Sequence, residues 1–313
     1  MTAFSPAWDG YLADPFVLRT ADGYYVFGTD GPEQVAYNKT GRQFPILRSP
    51  DLKRWEWIGG ALTVPKELQG LHFWAPEVAA WNGRYYMYYS AGGEQGEGQR
   101  LRVAVARRPE GPYEDLGRWL MPREVFSIDP SPFRDPVSGK WFLFYARDYF
   151  NSPVGTGIAV VPLAGDLSHV RGRYRTLIRA RADWQIYERD RQWYGKTWRR
   201  WHTCEGPFAI HRHGRYYLFY SGGNWQQEGY GLSCAVAETV LGPYSEPAGD
   251  GALVLRSQPG LRGPGHSCVV VWPDGSDAIV FHAWDETLTK RQMHVAPLTW
   301  RDKDGIPFPV VNV

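Results

Sequence analysis

Asp14, Asp129 and Glu205 each stand at a proline turn, in Asp14-Pro15, Asp129-Pro130 and Glu205-Gly206-Pro207. A carboxyl donates a proton where its surroundings keep it neutral and accepts one where they keep it ionised. Carboxyls in unlike surroundings therefore make an acid–base pair. Glu77, in Ala75-Pro76-Glu77, and His266, in Gly263-Pro264-Gly265-His266, occupy comparable contexts. Taken singly, each of these residues has a plainer use, because Asp-Pro and Glu-Gly-Pro are turn chemistry. Successive members lie between about 50 and 76 positions apart, so any joint chemistry requires a fold that gathers them.

Composition points to the kind of fold. The chain of 313 residues carries 15 Trp, 19 Tyr and 14 Phe beside 35 Gly and 24 Pro. Aromatic residues favour strands and Gly/Pro punctuate turns, which predicts an all-β chain. No apolar run approaches the ~20 residues of a membrane helix. The first ten residues, MTAFSPAWDG, lack the basic and apolar regions of a secretory signal, so the expected location is cytoplasmic. A net charge of +2 argues against a dedicated nucleic-acid binder. Cys204, Cys234 and Cys268 are odd in number and widely spaced, and read as buried free thiols rather than a disulfide framework or zinc site.

A strand-like phrase recurs through the chain: GYYVFGTDG at 23–31, RYYMYYSAGG at 84–93, KWFLFYARDY at 140–149, RYYLFYSGGN at 215–224 and DAIVFHAWDE at 277–286. Each is entered through a glycine turn such as Asn82-Gly83 or His213-Gly214, preceded by a short apolar strand, and in most copies followed by another. Units of this size, each a meander of three or four strands, predict one domain, a five-bladed β-propeller over 1–313. Its blades span roughly 11–60, 72–118, 126–170, 203–248 and 264–303, with 171–202 inserted. An open β-sandwich is the competing architecture. In a propeller the first strand of every blade lines the central axis, so Asp14, Glu77, Asp129, Glu205 and His266 gather at one end of the channel. The second strands return Thr29-Asp30, Gly92-Gly93, Arg147-Asp148, Asn224-Trp225 and Trp284-Asp285 to the same face. Carboxylates for proton transfer and hydroxyl contacts, with flat indoles, suit a carbohydrate. Asp135, in Phe133-Arg134-Asp135-Pro136, falls in the hairpin turn six residues before Trp141, away from the axis.

With these motifs in order, the chain resembles glycoside hydrolase family 43, a group of five-bladed inverting glycosidases that includes α-L-arabinofuranosidases, arabinanases and β-xylosidases. The resemblance runs from Ala13-Asp14-Pro15 through Phe73-Trp74-Ala75-Pro76-Glu77, Ile128-Asp129-Pro130-Ser131, Glu205-Gly206-Pro207-Phe208 and Gly263-Pro264-Gly265-His266 to Trp300. It implies Asp14 as general base, Glu205 as general acid and Asp129 as the residue that tunes and orients the acid. In inverting enzymes the acid and base stand roughly 6.5–9.5 Å apart, leaving room for a water. The resemblance also implies a calcium ion near His266, held largely through water, although calcium prefers oxygen ligands and a histidine that binds only water reads equally well. Arg291 matches an arginine that contacts substrate in related β-xylosidases, with a solvated strand residue as the alternative. Trp74, Glu77, Asn224 and Trp225 complete the expected substrate contacts, Trp74 as a pocket wall or else as interblade core. Residues 171–201 carry ten Lys/Arg against three Asp/Glu, with Trp184, Trp193, Trp198 and Trp201, and read as a loop that shapes the pocket.

The implied function is an inverting exo-hydrolase releasing α-L-arabinofuranosyl units from oligosaccharides, needing no cofactor for its chemistry. Exo action follows from the expected cytoplasmic location, where intact polysaccharide does not arrive. A β-xylosidase or arabinanase could use the same machinery. A sugar-binding propeller without turnover and a retaining fructosidase-like enzyme are the other readings. The sequence says nothing of oligomeric state.

Overall fold

The computed structural model describes residues 5–31, 41–247 and 251–311. The stretches 32–40 within the first expected blade and 248–250 at the end of the fourth lie outside the described residues, as do both extreme ends. Among the described residues the chain is all-β, with two 3-10 turns, at Lys66–Leu68 and Asp183–Gln185.

Strands follow one another as antiparallel meanders. The first is β1 (Ala13–Thr20), β2 (Gly23–Thr29), β3 (Gln43–Ser49) and β4 (Glu56–Thr63). Next come β5 (His72–Trp81), β6 (Arg84–Gly92), β7 (Arg100–Ala106) and β8 (Tyr113–Trp119). They are followed by β9 (Ser127–Arg134), β10 (Trp141–Tyr149), β11 (Gly155–Pro162) and β12 (Arg175–Arg179). After β13 (Ile186–Trp193), the long β14 (Lys196–Arg212) pairs with β15 (Arg215–Gly222), and β15 with β16 (Gly231–Ala237). The last meander is β17 (Arg262–Val271), β18 (Asp277–Trp284), β19 (Arg291–Lys303) and β20 (Ile306–Val311). The hairpins use the glycine turns read from sequence. At Asn82-Gly83 both residues have positive φ, 48° and 71°, between the paired Trp81 and Arg84, the geometry of a two-residue type I′ turn.

The first strands touch one another in cyclic order: β1 against β5, β5 against β9, β9 against β14, β14 against β17, and β17 back against β1. The segment before β1 also joins the last meander, with Ala7 N–H donating to Met293 O (2.8 Å) and Leu12 N–H to Arg291 O (2.9 Å). Most sheets are covered on both faces, so β2, β15 and β16 read as nearly unbroken buried runs rather than alternating ones. Aromatic side chains fill the space between meanders, as where Phe44 of β3 meets Tyr89 of β6 edge-on at 5.7 Å.

Two features differ from the sequence expectation. Arg175–Arg179 pairs with β11 and so extends the third meander beyond residue 170. The segment expected as a loop is instead a β-hairpin, β13 with the first half of β14, closed by Tyr194 and Gly195 at φ 54° and 72°. Tyr-Gly is a rarer two-residue turn than Asn-Gly, which hid the hairpin.

Candidate active site

Every first strand in the cycle carries a β-bulge at the same level. The ladder slips at Ala13/Phe16, Trp74/Glu77, Glu205/Phe208 and Gly265/Cys268, and in β10 opposite Ile128–Ser131. At each slip one residue has positive φ: Asp14 (51°), Ala75 (48°), Asp129 (56°), Gly206 (57°) and His266 (44°). In four cases the next residue is proline, which has no N–H to lose from the ladder. The bulge, not the acid, is thus the repeating element. Asp14, Asp129 and His266 are equivalent, Glu205 lies one residue before the bulge position, and Glu77 two after it. This corrects the expectation that all five share one register.

A cavity of about 680 Å³ opens over this ring, lined by Asp14, Trp74, Asp129, Glu205, Trp225, His266 and Arg291 among others. Glu77 and Asn224 are not part of its lining. Glu77 is buried with Oε2 lacking a partner, and burial pushes its carboxyl well above the usual range. Asn224 braces a loop, donating to Tyr187 O (3.2 Å) and accepting from Gln226 N–H (3.0 Å). Asp135 is held in its hairpin turn by Ser138 and by the Tyr216 hydroxyl (2.6 Å), outside the cavity.

Asp14 and Asp129 are buried and Glu205 is half-buried, yet they differ in charge. Burial would raise the pKa of Asp14, but Arg291 Nη1 at 3.3 Å from Oδ1, together with neighbouring polar groups, holds it well below the usual carboxylate range. Thr29 Oγ1 donates to Asp14 Oδ2 (2.6 Å). His282 Nδ1 accepts the Asp14 N–H (3.0 Å), so its proton sits on Nε2. His266 Nδ1 lies 3.3 Å from Asp14 Oδ1, and burial lowers the pKa of both imidazoles, that of His282 to about 4. Glu205 is pushed up to about 7 by burial and by the charge of Asp14, against the hydrogen bond that Tyr230 donates to Oε1 (2.8 Å). Asp129 is also pushed up, by burial and by Glu205, while the Gly206 N–H bond (2.9 Å) to its Oδ2 favours its ionised form. Burial and like charge therefore keep a proton within the Asp129–Glu205 pair.

Arg291 is buried, not solvated. Its Nε donates to Tyr11 OH (3.0 Å) and its guanidinium lies 4.4 Å over the Trp225 ring, which stacks on Trp284. Trp74 faces the cavity rather than the core between sheets, beside Gly96, where an added Cβ would lie 3.4 Å from Phe126 and 4.0 Å from Trp193. The β13–β14 hairpin adds Tyr187 and Arg191 to the lining. Sequence reasoning missed Tyr230, Tyr187 and Arg191, and placed Thr29 on this face without giving it a role.

Among the described residues no three His, Cys, Asp or Glu side chains surround a common point that could hold a metal. At His266 the nearby carboxylate oxygen is already engaged by Arg291, which does not fit a calcium ion ligated directly by several oxygens.

A ring of bulged strands presenting carboxyls of opposed proton affinity to one cavity defines a scaffold for acid–base chemistry on a polar substrate. The profile of glycosyl hydrolases family 43 matches residues 4–307, and the chain belongs to that family. It is therefore a glycoside hydrolase. Its sequence is 27% identical over 300 residues to a β-D-galactofuranosidase, xynD, of Aspergillus niger, covering 90% of this chain and 76% of the relative. It is 25% identical over 299 residues to an extracellular exo-α-(1→5)-L-arabinofuranosidase of Streptomyces chartreusis, covering 87% and 79%. In structure it resembles a thermostable family-43 glycoside hydrolase with a TM-score of 0.80 at 29% identity, covering 99% and 96%. Other relatives are named endo-arabinanases.

The cytoplasmic expectation is corrected here. The Streptomyces relative and an arabinofuranosidase of Cellvibrio japonicus are both named extracellular. The expectation rested on the character of the opening residues, which does not report where a protein works.

Proposed function

We propose that the chain is an inverting exo-glycosidase that removes α-L-arabinofuranosyl units, using Asp14 as general base, Glu205 as general acid and Asp129 to tune and orient the acid. It does so as one domain, a five-bladed propeller. The observation that carries this reading is the opposed proton affinity of two acids lining one cavity: Asp14, buried beside Arg291 and held ionised, and the half-buried Glu205, whose pKa is pushed up to about 7. With a sugar in the cavity, Glu205 protonates the leaving oxygen while Asp14 takes a proton from a water on the opposite face of the ring, and the configuration at the reacting carbon inverts. Both proton carriers are side chains, so the chemistry needs no cofactor. Any calcium held through water at His266 would be structural.

Exo action leans on the Streptomyces and Cellvibrio relatives, whose names specify it. The arabinose assignment leans on the Streptomyces and Cellvibrio relatives, whose names specify that sugar. The intact acid set weighs against a binding protein without turnover.

A panel of nitrophenyl glycosides tests the reading. The α-L-arabinofuranoside is expected to turn over fastest. Turnover of the β-xyloside or β-galactofuranoside alone would overturn the sugar assignment, and a first product of retained configuration by proton NMR would overturn the mechanism.

A further inference from the structure

Each bulge leaves a backbone N–H that the ladder no longer uses, and a buried amide needs an acceptor. Four of these amides find theirs the same way, on the second strand of the preceding meander. Ala75 N–H donates to Thr29 Oγ1 (2.9 Å), Asp129 N–H to Ser90 Oγ (3.1 Å), His266 N–H to Ser221 Oγ (2.7 Å) and Asp14 N–H to His282 Nδ1 (3.0 Å). The acceptors hold equivalent places, each paired with the residue just before its own bulge: Thr29 with Ala13, Ser90 with Trp74, Ser221 with Glu205 and His282 with Gly265.

In the third meander that place, paired with Ile128, is Ala146. A methyl group accepts nothing. The fifth amide, that of Gly206, donates instead to Asp129 Oδ2 at 2.9 Å. Position 206 tolerates little else. Its φ is +57°, and a Cβ there would stand 3.1 Å from the His266 ring.

We propose that Ala146 is a positioning residue for the acid pair: by withholding the acceptor that the other meanders provide, it commits the Gly206 amide to Asp129 and ties that carboxyl to the peptide following Glu205. This rests on the roles given above to Asp129 and Glu205. The groups that face Asp129 are Glu205, Asp14, Arg291 and Glu77. Those that face Glu205 are Tyr230, Asp14, Asp129, Arg291, Arg191, Tyr187 and Cys204. The Gly206 amide is a backbone donor that reaches from β14 to the Asp129 side chain on β9, and it favours an ionised Asp129 aimed at the acid.

The test is Ala146→Ser, which restores the residue type found at 90 and 221. The serine hydroxyl is expected to capture the Gly206 amide and release Asp129. With an unactivated arabinoside, kcat should fall roughly ten- to a hundredfold with KM little changed. The alkaline limb of the pH profile should move down, because a released Asp129 binds protons more readily and repels the Glu205 charge less. Ala146→Cys adds similar bulk with a far weaker acceptor and should keep the wild-type limb. Equal behaviour of the two variants, or a wild-type profile for Ala146→Ser, overturns the proposal. A second readout needs neither variant nor activity. The Gly206 amide resonance of the wild-type protein, in glycine-labelled NMR spectra, should shift with pH and lose that shift in Asp129→Asn. A Gly206 amide indifferent to Asp129 overturns the tether itself. A wild-type chain that hydrolyses no glycoside overturns the assigned roles, and the amide titration still decides the tether.

Discussion

Asp14 on β1 is buried and Glu205 on β14 half-buried, and both line the same cavity and sit within one residue of equivalent bulges. Burial works on both in the same direction, against ionisation. Asp14 nonetheless ionises easily because a guanidinium and a hydroxyl converge on its two oxygens. Glu205 has a phenol and two other acids for company and keeps its proton. One backbone device thus serves opposite chemistry, and the partners decide which. Those partners come from far along the chain: Arg291 follows Asp14 by 277 residues.

The sharpest way to break this comparison is to remove each acid in turn. Glu205→Gln should cost about 10²–10⁴-fold in kcat on an unactivated arabinoside and far less on a dinitrophenyl glycoside, whose leaving group needs no proton. Asp14→Asn should cost a similar factor with both substrates. Equal leaving-group dependence of the two variants would erase the distinction between acid and base.

Arg291→Gln comes next. With its cation gone, Asp14 should titrate at or above the ordinary carboxylate value, so the acid limb of kcat/KM moves up in pH. An uncompensated buried charge should also cost about 3–5 kcal/mol of stability, read from denaturant unfolding. The folded pKa of Asp14 is depressed, so in the wild type its contribution is present above the unfolded value of about 3.9 and lost as pH falls through the folded one. That acid-sensitive part should vanish in the variant.

Glu205 predicts the reverse. Its folded pKa is raised to about 7, so its stabilising contribution is complete below the unfolded value of about 4.3 and is lost as pH rises through the folded one. Glu205→Gln should therefore gain stability over the wild type between those two values and hold the gain at pH 8 to 9, as thermal unfolding across that range would report. A constant difference would contradict the raised pKa.

Tyr230→Phe should give the smallest change. Its hydroxyl favours ionised Glu205, so the alkaline limb should rise by less than a unit while kcat falls less than about tenfold. A downward shift would mean that Glu205 donates to Tyr230 rather than the other way round.

The bulge residues were legible because their signal is local and repeated. Asp14-Pro15, Ala75-Pro76, Asp129-Pro130 and Gly206-Pro207 all mark the same backbone event. Aligning the acids instead of the prolines put Glu77 at the cavity, and two residues along a strand is enough to lower a side chain out of it. Tyr230, Tyr187 and Arg191 were not legible. Their placement depends on how β13, β14 and the loop before β16 fold over the ring, which no repeat in the sequence encodes. The hairpin was missed for a related reason: its tryptophans and arginines pack on one another, with Trp198 against Trp201 and Arg191 over Trp193, so they do not follow the alternation of a simple strand.

β14 runs seventeen residues, from the hairpin tip at Lys196 through Trp201 and Glu205 to Arg212. The strand that carries the wall-forming β13 as its hairpin partner and the strand that carries the proton donor are therefore one beam, locked in phase by the two-residue alternation of an extended chain. A single residue added between Thr203 and Glu205 would turn the acid away from the wall that frames its substrate, whereas two would restore its facing. Whatever lengthening this edge of the pocket accepts must come in even steps or be confined to the tip at Tyr194-Gly195.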